Sequence, residues 1–394
     1  MRAQDITSSD FSAEELYSCL SFFESKNLTK ESFTRIFDNQ IKGLSSNSYD
    51  FSFAKKEKNY FISNVNKYEV LFQKLVLRKI YQNIKAEYKF IHPNRDEIIS
   101  QIINLTKDKN PYWIQKLDIK SFFESVKRDA IIQKLKQDYR LTRQTIILLE
   151  KIFTNQSFNG YTGLPRGLSI SSILAEIYLN DFDSEITRTQ GVFYYARYVD
   201  DIIIFCTNKQ IRDDVKNIAI KALEELRLFT NCEKNQSWDN NSTESLKYLG
   251  YEFKHDTTKK VTISIATNKV NKIKTHITRS FFDFIKNHNY NLLDKRIKYL
   301  SGNCIFDERR KSPIFAGIYY NYKRITEKNS LKELDTFYRG ILNCKKGKLG
   351  TPLNQLLNAT KRNHLKKYSF MFGHEKHLSN RFSSKAIKEI TQVW

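Results

Sequence analysis

Asp200 and Asp201 stand side by side in the stretch Phe193–Phe205, FYYARYVDDIIIF. β-Branched and aromatic residues crowd both flanks, which predicts two short strands, 192 to 197 and 202 to 205, meeting at a tight turn that presents both acids. Two carboxylates on one turn repel each other unless a positive charge lies nearby, and a divalent metal ion is the usual remedy where the chemistry is phosphoryl transfer. A lone Asp-Asp pair is more often a hydrated acidic turn, so the weight comes from its company. Trp113 to Ile119, WIQKLDI, reads as a strand ending in Asp118. A carboxylate at the end of a buried strand is badly placed for solvation and well placed as a metal ligand, provided that the second acidic cluster folds beside it. Between the two lies NGYTGLPRGLS, with Gly160, Gly163 and Gly167 around Pro165. It runs into a helix expected from Ser169 to about 182, where glycine beside a helix start lets backbone approach a nucleotide or template base.

These positions need a frame, and the chain offers one. Amphipathic helices are expected about 127–137 and 142–153, and another carries Ile211, Val215, Ile218, Ala222, Leu223 and Leu226 after the acidic turn. That helix ends at LRLFTNCEKNQSW, which leaves Lys234 in a polar loop. LKYLGYEF and KKVTISI are expected as a hairpin turning near Asp256. Residues 1–50 read as helical, with Ser12 and Glu15 as a capping box. From Lys55 to Phe90 a mostly buried helix with basic edges is expected, and Lys85, Lys89 and Arg95 are candidates for contacting phosphates. Beyond about residue 260 the texture turns helical and strongly basic, and His374 and His377 in GHEKH are expected on the surface.

The chain has 394 residues and a formal charge of +23, with 66 lysines and arginines against 43 acids. That surplus favours a polyanionic partner, nucleic acid ahead of membrane, because no segment is apolar for long enough to span a bilayer. Five scattered cysteines without a C-x-x-C pair and an N-terminus unlike a signal peptide lead to the expectation of a reducing, cytoplasmic setting.

The order of Asp118, the glycine-proline loop with its helix, the Asp200-Asp201 turn, the Lys234 loop and LKYLGYEF resembles the palm of reverse transcriptases from Tyr112 to Phe253. DIKSFF looks like the first catalytic motif, GLPRGLSISSILAEIYL the template and nucleotide loop, and YVDD the Y-x-D-D signature. The resemblance implies an α+β right-hand polymerase with fingers, an antiparallel-sheet palm, a helical thumb and a basic C-terminal extension. On that reading residues 1–54 form an N-terminal helical segment, 55–111 fingers, 112–260 the palm with a fingers-like helical insertion over 127–160, 261–345 the thumb and 346–394 the extension. It further implies that Asp118, Asp200, Asp201 and Lys234 are catalytic, and that Asp118, Ile119, Asp200 and Asp201 hold two Mg2+ ions, or Mn2+. Lys234 would protonate pyrophosphate. Phe123, Pro165, Arg166, Gly167 and Arg95 would bind the nucleotide, Phe123 as a wall against the ribose 2′ position, and Leu249 and Gly250 would form the primer grip. Arg166 departs from the glutamine that many members carry there.

The implied partners are an RNA template, a DNA product and deoxynucleotides, together with a partner protein or further copies of the chain and no membrane. SGNCIF, SPIFAGIYYNYKRI and LKELDTFYRGIL look most like the bacterial defence-associated (antiphage) group, type 3 among them, with a dedicated non-coding RNA as template. The alternatives are an RNA-dependent RNA polymerase or a non-templated nucleotidyl transferase on the same palm, or an inactive RNA-binding protein. The first usually shows Gly-Asp-Asp and a small or acidic residue where this chain has Phe123.

Overall fold

The computed structural model describes residues 10–26, 28–89, 94–107, 110–306 and 314–394. Its chain divides by packing into two compact units, one of residues 1–94 and 112–237, the other of 95–111 and 238–394.

The first unit begins with helices Ala13–Ser18, Phe22–Ser25 and Lys30–Ser45. Ser12 caps the first of them through the Glu15 backbone, but the reciprocal capping box forms one helix later, between Ser21 and Glu24. The Glu15 carboxylate pairs with Lys79 instead. The lysine-rich stretch from Lys55 is not one helix. Phe53–Lys56 (β1) and Asn59–Ile62 (β2) pair antiparallel across a Glu57–Lys58 turn, and the helix spans only Lys67–Glu87. Phe53 and Tyr60 are buried while Lys55 and Lys56 are exposed. So short a strand pair shows too little alternation to stand out from a helical pattern.

The central sheet has the order β4-β5-β3-β6, formed by Trp113–Asp118 (β3), Val192–Tyr198 (β4), Asp201–Cys206 (β5) and Gln236–Asp239 (β6), of which Gln236 and Ser237 belong to this unit. Ile202 to Cys206 are fully buried, as a central strand covered on its faces requires. Helices Ser169–Arg188 and Lys209–Glu225 pack on this sheet. The β3–β5 register sets Asp118 opposite Asp201.

Arg197, with a side chain 1% exposed, donates to Glu176 at 2.7 Å and to Asp183 at 2.6 Å, joining β4 to the helix behind it. Burial alone would lower its pKa, yet its two carboxylate partners hold it above the ordinary arginine value. Arg197→Met removes the guanidinium that offsets the charges of Glu176 and Asp183 in a largely desolvated place and is expected to destabilise this unit by about 3–5 kcal/mol, read as a fall in the denaturant midpoint. A loss under about 1 kcal/mol would mean the pair is solvated in practice.

In the second unit Leu246–Tyr248 (β7), Tyr251–His255 (β8) and Val261–Ile265 (β9) form an antiparallel sheet. LKYLGYEF is therefore two strands rather than one. It folds back at Leu249 and Gly250, with φ of 44° and 83°, the two consecutive left-handed residues of a type I′ turn. The β8–β9 turn lies at Asp256, whose side chain accepts from the Thr258 and Lys260 backbone. Helices Thr267–Asn287 and Tyr290–Ser301 follow. The first buries Val270, Ile277, Phe281 and Phe284 and leaves Lys269, Lys272, Arg279 and Lys286 exposed. Asn303–Phe306 (β10), Ile314–Gly317 (β11) and Ser379–Arg381 (β12) make a small sheet. His374 is buried rather than at the surface, its ring nitrogen bonded to the Tyr322 carbonyl at 3.2 Å. Among the described residues no helix is long and apolar enough to cross a membrane.

Candidate active site

The acidic turn is built on a strained backbone. Tyr198 pairs with Asp201, so Val199 and Asp200 alone make the bend, and Val199 adopts φ 61°, a conformation that β-branched residues avoid. The bend is tied down because the Ile119 N–H donates to the Asp200 carbonyl at 3.1 Å. Asp118, 7% exposed at its side chain, is fixed from behind. Its N–H donates to the Asn235 side chain at 3.1 Å, and its carbonyl accepts from the Asn231 N–H at 2.7 Å. Lys120 N–H bonds the Phe229 carbonyl, and Ile119 bridges Thr230, so the loop from Phe229 to Asn235 is clipped along the end of β3. That loop brings the Lys234 ammonium to 3.0 Å from both oxygens of Asp118.

The three carboxylates share one low-dielectric corner. Burial pushes the Asp200 carboxyl above its ordinary value, and Asp118 adds repulsion that Lys234 and Arg166 oppose. Asp201 is raised to about 6, first by burial and then by Asp200 and Asp118, against the pull of Lys116 and Lys234. Anionic oxygens crowded so, with an ammonium straddling one carboxylate, are a hard-donor set suited to Mg2+ or Mn2+. Among the described residues no three acidic, histidine or cysteine side chains are gathered as a ready metal centre.

The raised pKa of Asp201 has a signed consequence. Between the ordinary carboxylate pKa and about 6 the folded chain binds a proton that the unfolded chain has released, so the contribution of Asp201 to stability falls as pH rises through that window. With chelator present, Asp201→Asn is expected to stabilise the protein by about 2 kcal/mol at pH 8 and by almost nothing at pH 4. Equal effects at both pH values, measured by denaturant unfolding, would contradict the buried-carboxylate account.

The glycine-proline loop sits against the turn after Asp118. Phe122–Ser125 is a single helical turn entered through Ser121 at φ 48°. The different burial of Phe122 and Phe123 therefore comes from the rotation of a helical turn and not from strand alternation. Phe122 is buried, at 1% exposure, and Phe123 is half-buried. Leu164 N–H donates to the Phe123 carbonyl at 2.7 Å, and a Cβ on Gly163 would fall 2.4 Å from the Glu124 backbone, so only glycine permits this approach. Arg166 forms a fork with Glu124 at 2.7 and 2.9 Å, and its guanidinium lies 5.2 Å over the Phe123 ring. The Pro165 carbonyl accepts from Ser171, the Arg166 carbonyl accepts from the Tyr60 N–H of β2, and Gly167, at φ 92°, lies against the Tyr60 carbonyl.

Two groups here escaped the reading of residues one by one. Glu124 is held below the ordinary carboxyl value, first by its hydrogen bonds from Arg166, and Lys58 of the β1–β2 turn adds to that pull. A hairpin pattern around Glu57–Lys58 was the only local signal for Lys58; nothing local marks Glu124. Lys85 and Lys89 line a cavity of about 410 Å3 with Tyr81, Tyr88, Ser172, Ile173 and Glu176. Arg95 lies in the second unit, where it donates to the Leu249 carbonyl at 3.0 and 2.6 Å and to the Asn321 carbonyl at 2.9 Å and covers the Tyr251 ring. Its guanidinium thus braces the Leu249–Gly250 turn, and Gly250 sits directly against it.

The curated Gag-Pro-Pol polyprotein of mouse mammary tumor virus (strain BR6) is 28% identical over 107 residues, which are 27% of this chain and 6% of that polyprotein. Among solved structures, telomerase from Candida albicans in complex with a fragment of telomeric RNA aligns with TM-score 0.40 and 13% identity, over 92% of this chain and 64% of that one. The corresponding Candida tropicalis complex aligns with TM-score 0.40 and 13% identity, over 93% and 68%. The family profile described as reverse transcriptase (RNA-dependent DNA polymerase) matches residues 52–253, just over half of the chain and a span holding the aspartates, Lys234, the glycine-proline loop and the Leu249–Gly250 turn. The chain belongs to the reverse transcriptase family, and its fold of helices and antiparallel sheets is that of a right-hand polymerase.

Proposed function

We propose that this chain is an RNA-directed DNA polymerase that adds deoxynucleotides to a primer by two-metal phosphoryl transfer. The observation that carries the reading is the corner where Asp118, Asp200 and Asp201 converge beneath Lys234, beside the turn that presents Phe123. Asp118 and Asp200, with Ile119, would hold two Mg2+ or Mn2+ ions, which when bound activate the primer 3′-hydroxyl and neutralise the triphosphate. Asp201, whose carboxyl is raised by burial to about 6, supports the corner from its strand. On this reading Lys234 gives a proton to departing pyrophosphate, and the Phe123 ring bars a ribose 2′-hydroxyl. Pro165, Arg166 and Gly167 shape the nucleotide side of the loop.

The Lys85 and Lys89 ammonium groups of the cavity suit the phosphates of a template strand, with the Tyr81 ring beside them. The exposed basic face of Thr267–Asn287 and the charge of +23 suit an RNA–DNA duplex. The Leu249–Gly250 turn, braced by Arg95, would hold the primer end. The finer reading is a bacterial antiphage enzyme in the cytoplasm that copies a dedicated non-coding RNA, alone, as a homo-oligomer or with a partner protein. It rests on the tail motifs from Ser301 to Leu342.

Purified protein given a primed RNA of mixed sequence, all four deoxynucleotides and Mg2+ is expected to yield DNA complementary to that RNA, read by sequencing the product. Product unrelated to the template would favour a non-templated transferase. Equal use of ribonucleotides would favour an RNA polymerase, and no incorporation at all an RNA-binding protein.

A further inference from the structure

We infer that Glu124 is a positioning residue for sugar selection, acting by locking Arg166 across the ring of Phe123; the inference rests on the polymerase reading above. Arg166 stands at a nucleotide-facing position of its loop, within electrostatic reach of Asp200. A free guanidinium there would be expected to seek the triphosphate. Its fork is instead taken by both oxygens of Glu124, at 2.7 and 2.9 Å. Such a two-point pair fixes the plane of the guanidinium as well as its position, which a lysine could not do. The plane so fixed lies over the face of Phe123, 5.2 Å from the ring centre.

The other contacts make this partly exposed ion pair one arm of a bracket. Leu164 N–H holds the Phe123 carbonyl, and Gly163 rests on the Glu124 backbone, so loop and turn are joined along the main chain. The Glu124–Arg166 pair closes the same two segments through their side chains. Phe122 packs the inner side of Phe123, with ring centres 5.6 Å apart. Phe123 is thereby confined between a core ring and a guanidinium, and only its remaining edge is left to meet a sugar. A wall discriminates between a hydrogen and a hydroxyl only if it cannot recede, since overpacking is felt when the neighbours hold their places. Removing the Glu124 charge frees Arg166, lets the ring tilt and opens room at the 2′ position.

The experiment measures kcat/KM for a deoxynucleotide and for the matching ribonucleotide on one primed RNA template. Glu124→Gln and Arg166→Lys are each expected to lower the deoxy-to-ribo ratio by about tenfold, mainly by raising ribonucleotide use. Glu124→Asp, which keeps a carboxylate toward Arg166, is expected to retain most of the ratio. A residue that serves only stability would lower the melting temperature and both kcat/KM values together, and its ratio would not separate Glu124→Gln from Glu124→Asp. Wild-type ratios in Glu124→Gln and Arg166→Lys, with Phe123→Ala shifted, would overturn the inference and leave the polymerase reading standing. Failure of the wild-type chain to incorporate either nucleotide would overturn both.

Discussion

Asp118→Asn and Asp200→Asn are each expected to slow nucleotide incorporation by about a thousandfold or more, corresponding to about 4 kcal/mol of lost transition-state stabilisation, while the first unit stays folded. The loss is large because the amide keeps the shape of the carboxylate and removes the charge that would hold a metal ion where negative charge develops. The fold should survive for a reason visible in the site. The Asp200 carboxyl is already pushed up by burial and by the neighbouring Asp118, so a neutral side chain relieves an electrostatic cost. In Asp118→Asn the Lys234 ammonium, with its side chain 57% exposed, can turn to water. Single-turnover incorporation, paired with melting temperature and near-UV circular dichroism, checks this. Either variant within tenfold of wild type at an unchanged melting temperature would dismiss the two-metal assignment.

Lys234→Met is expected to lower kcat by about a hundredfold to a thousandfold with a smaller change in KM, the range of a positioned general acid. The hydrogen bond to Asp118 raises the Lys234 pKa above that of an ordinary lysine, and Asp118, Asp201 and Asp200 add to the effect. The group is therefore a protonated donor throughout the neutral range, and its loss of the proton appears only as an alkaline limb in the pH profile of kcat. That limb should vanish in the variant. A simple counter-ion role makes the opposite forecast: without the competing ammonium, Asp118 would bind metal more readily. A lower Mg2+ half-saturation point with kcat within about threefold of wild type would reduce Lys234 to a charge partner.

Much of the secondary structure was legible because its signals are local. The isoleucine run after Asp201, the helix opening at Ser169 and the Asp256 turn each follow from period, caps and turn chemistry within a few residues. The places where local reading failed have local causes as well. At β1 and β2 the strands are too short for alternation to outweigh a helical pattern of lysines and aromatics. At Leu249–Gly250 the leucine in a left-handed conformation hid a tight turn inside an unbroken strand-like octapeptide. At Phe122–Ser125 a single helical turn continues a strand without any capping side chain to announce it.

By itself, then, the sequence determined that acids stand at one strand end and one turn, that a glycine-rich loop precedes a buried helix, and that the chain carries a polyanion-binding charge. Those properties reside in residue type and short spacing. Only the tertiary structure decided which of these groups meet. Asp118 and Asp201 face each other because β3 and β5 pair in one register, where a slip of one residue would turn either acid to the other face. Lys234 reaches Asp118 across 116 positions, Arg166 meets Glu124 across 42, and Arg95 is spent on Leu249 across 154. Each charge had several opposite charges or carbonyls within its chemistry, and nothing in local propensity ranks them. The choice is made when the chain closes its long loops around the packed sheet, since only then does burial make one partner within reach cheaper than water.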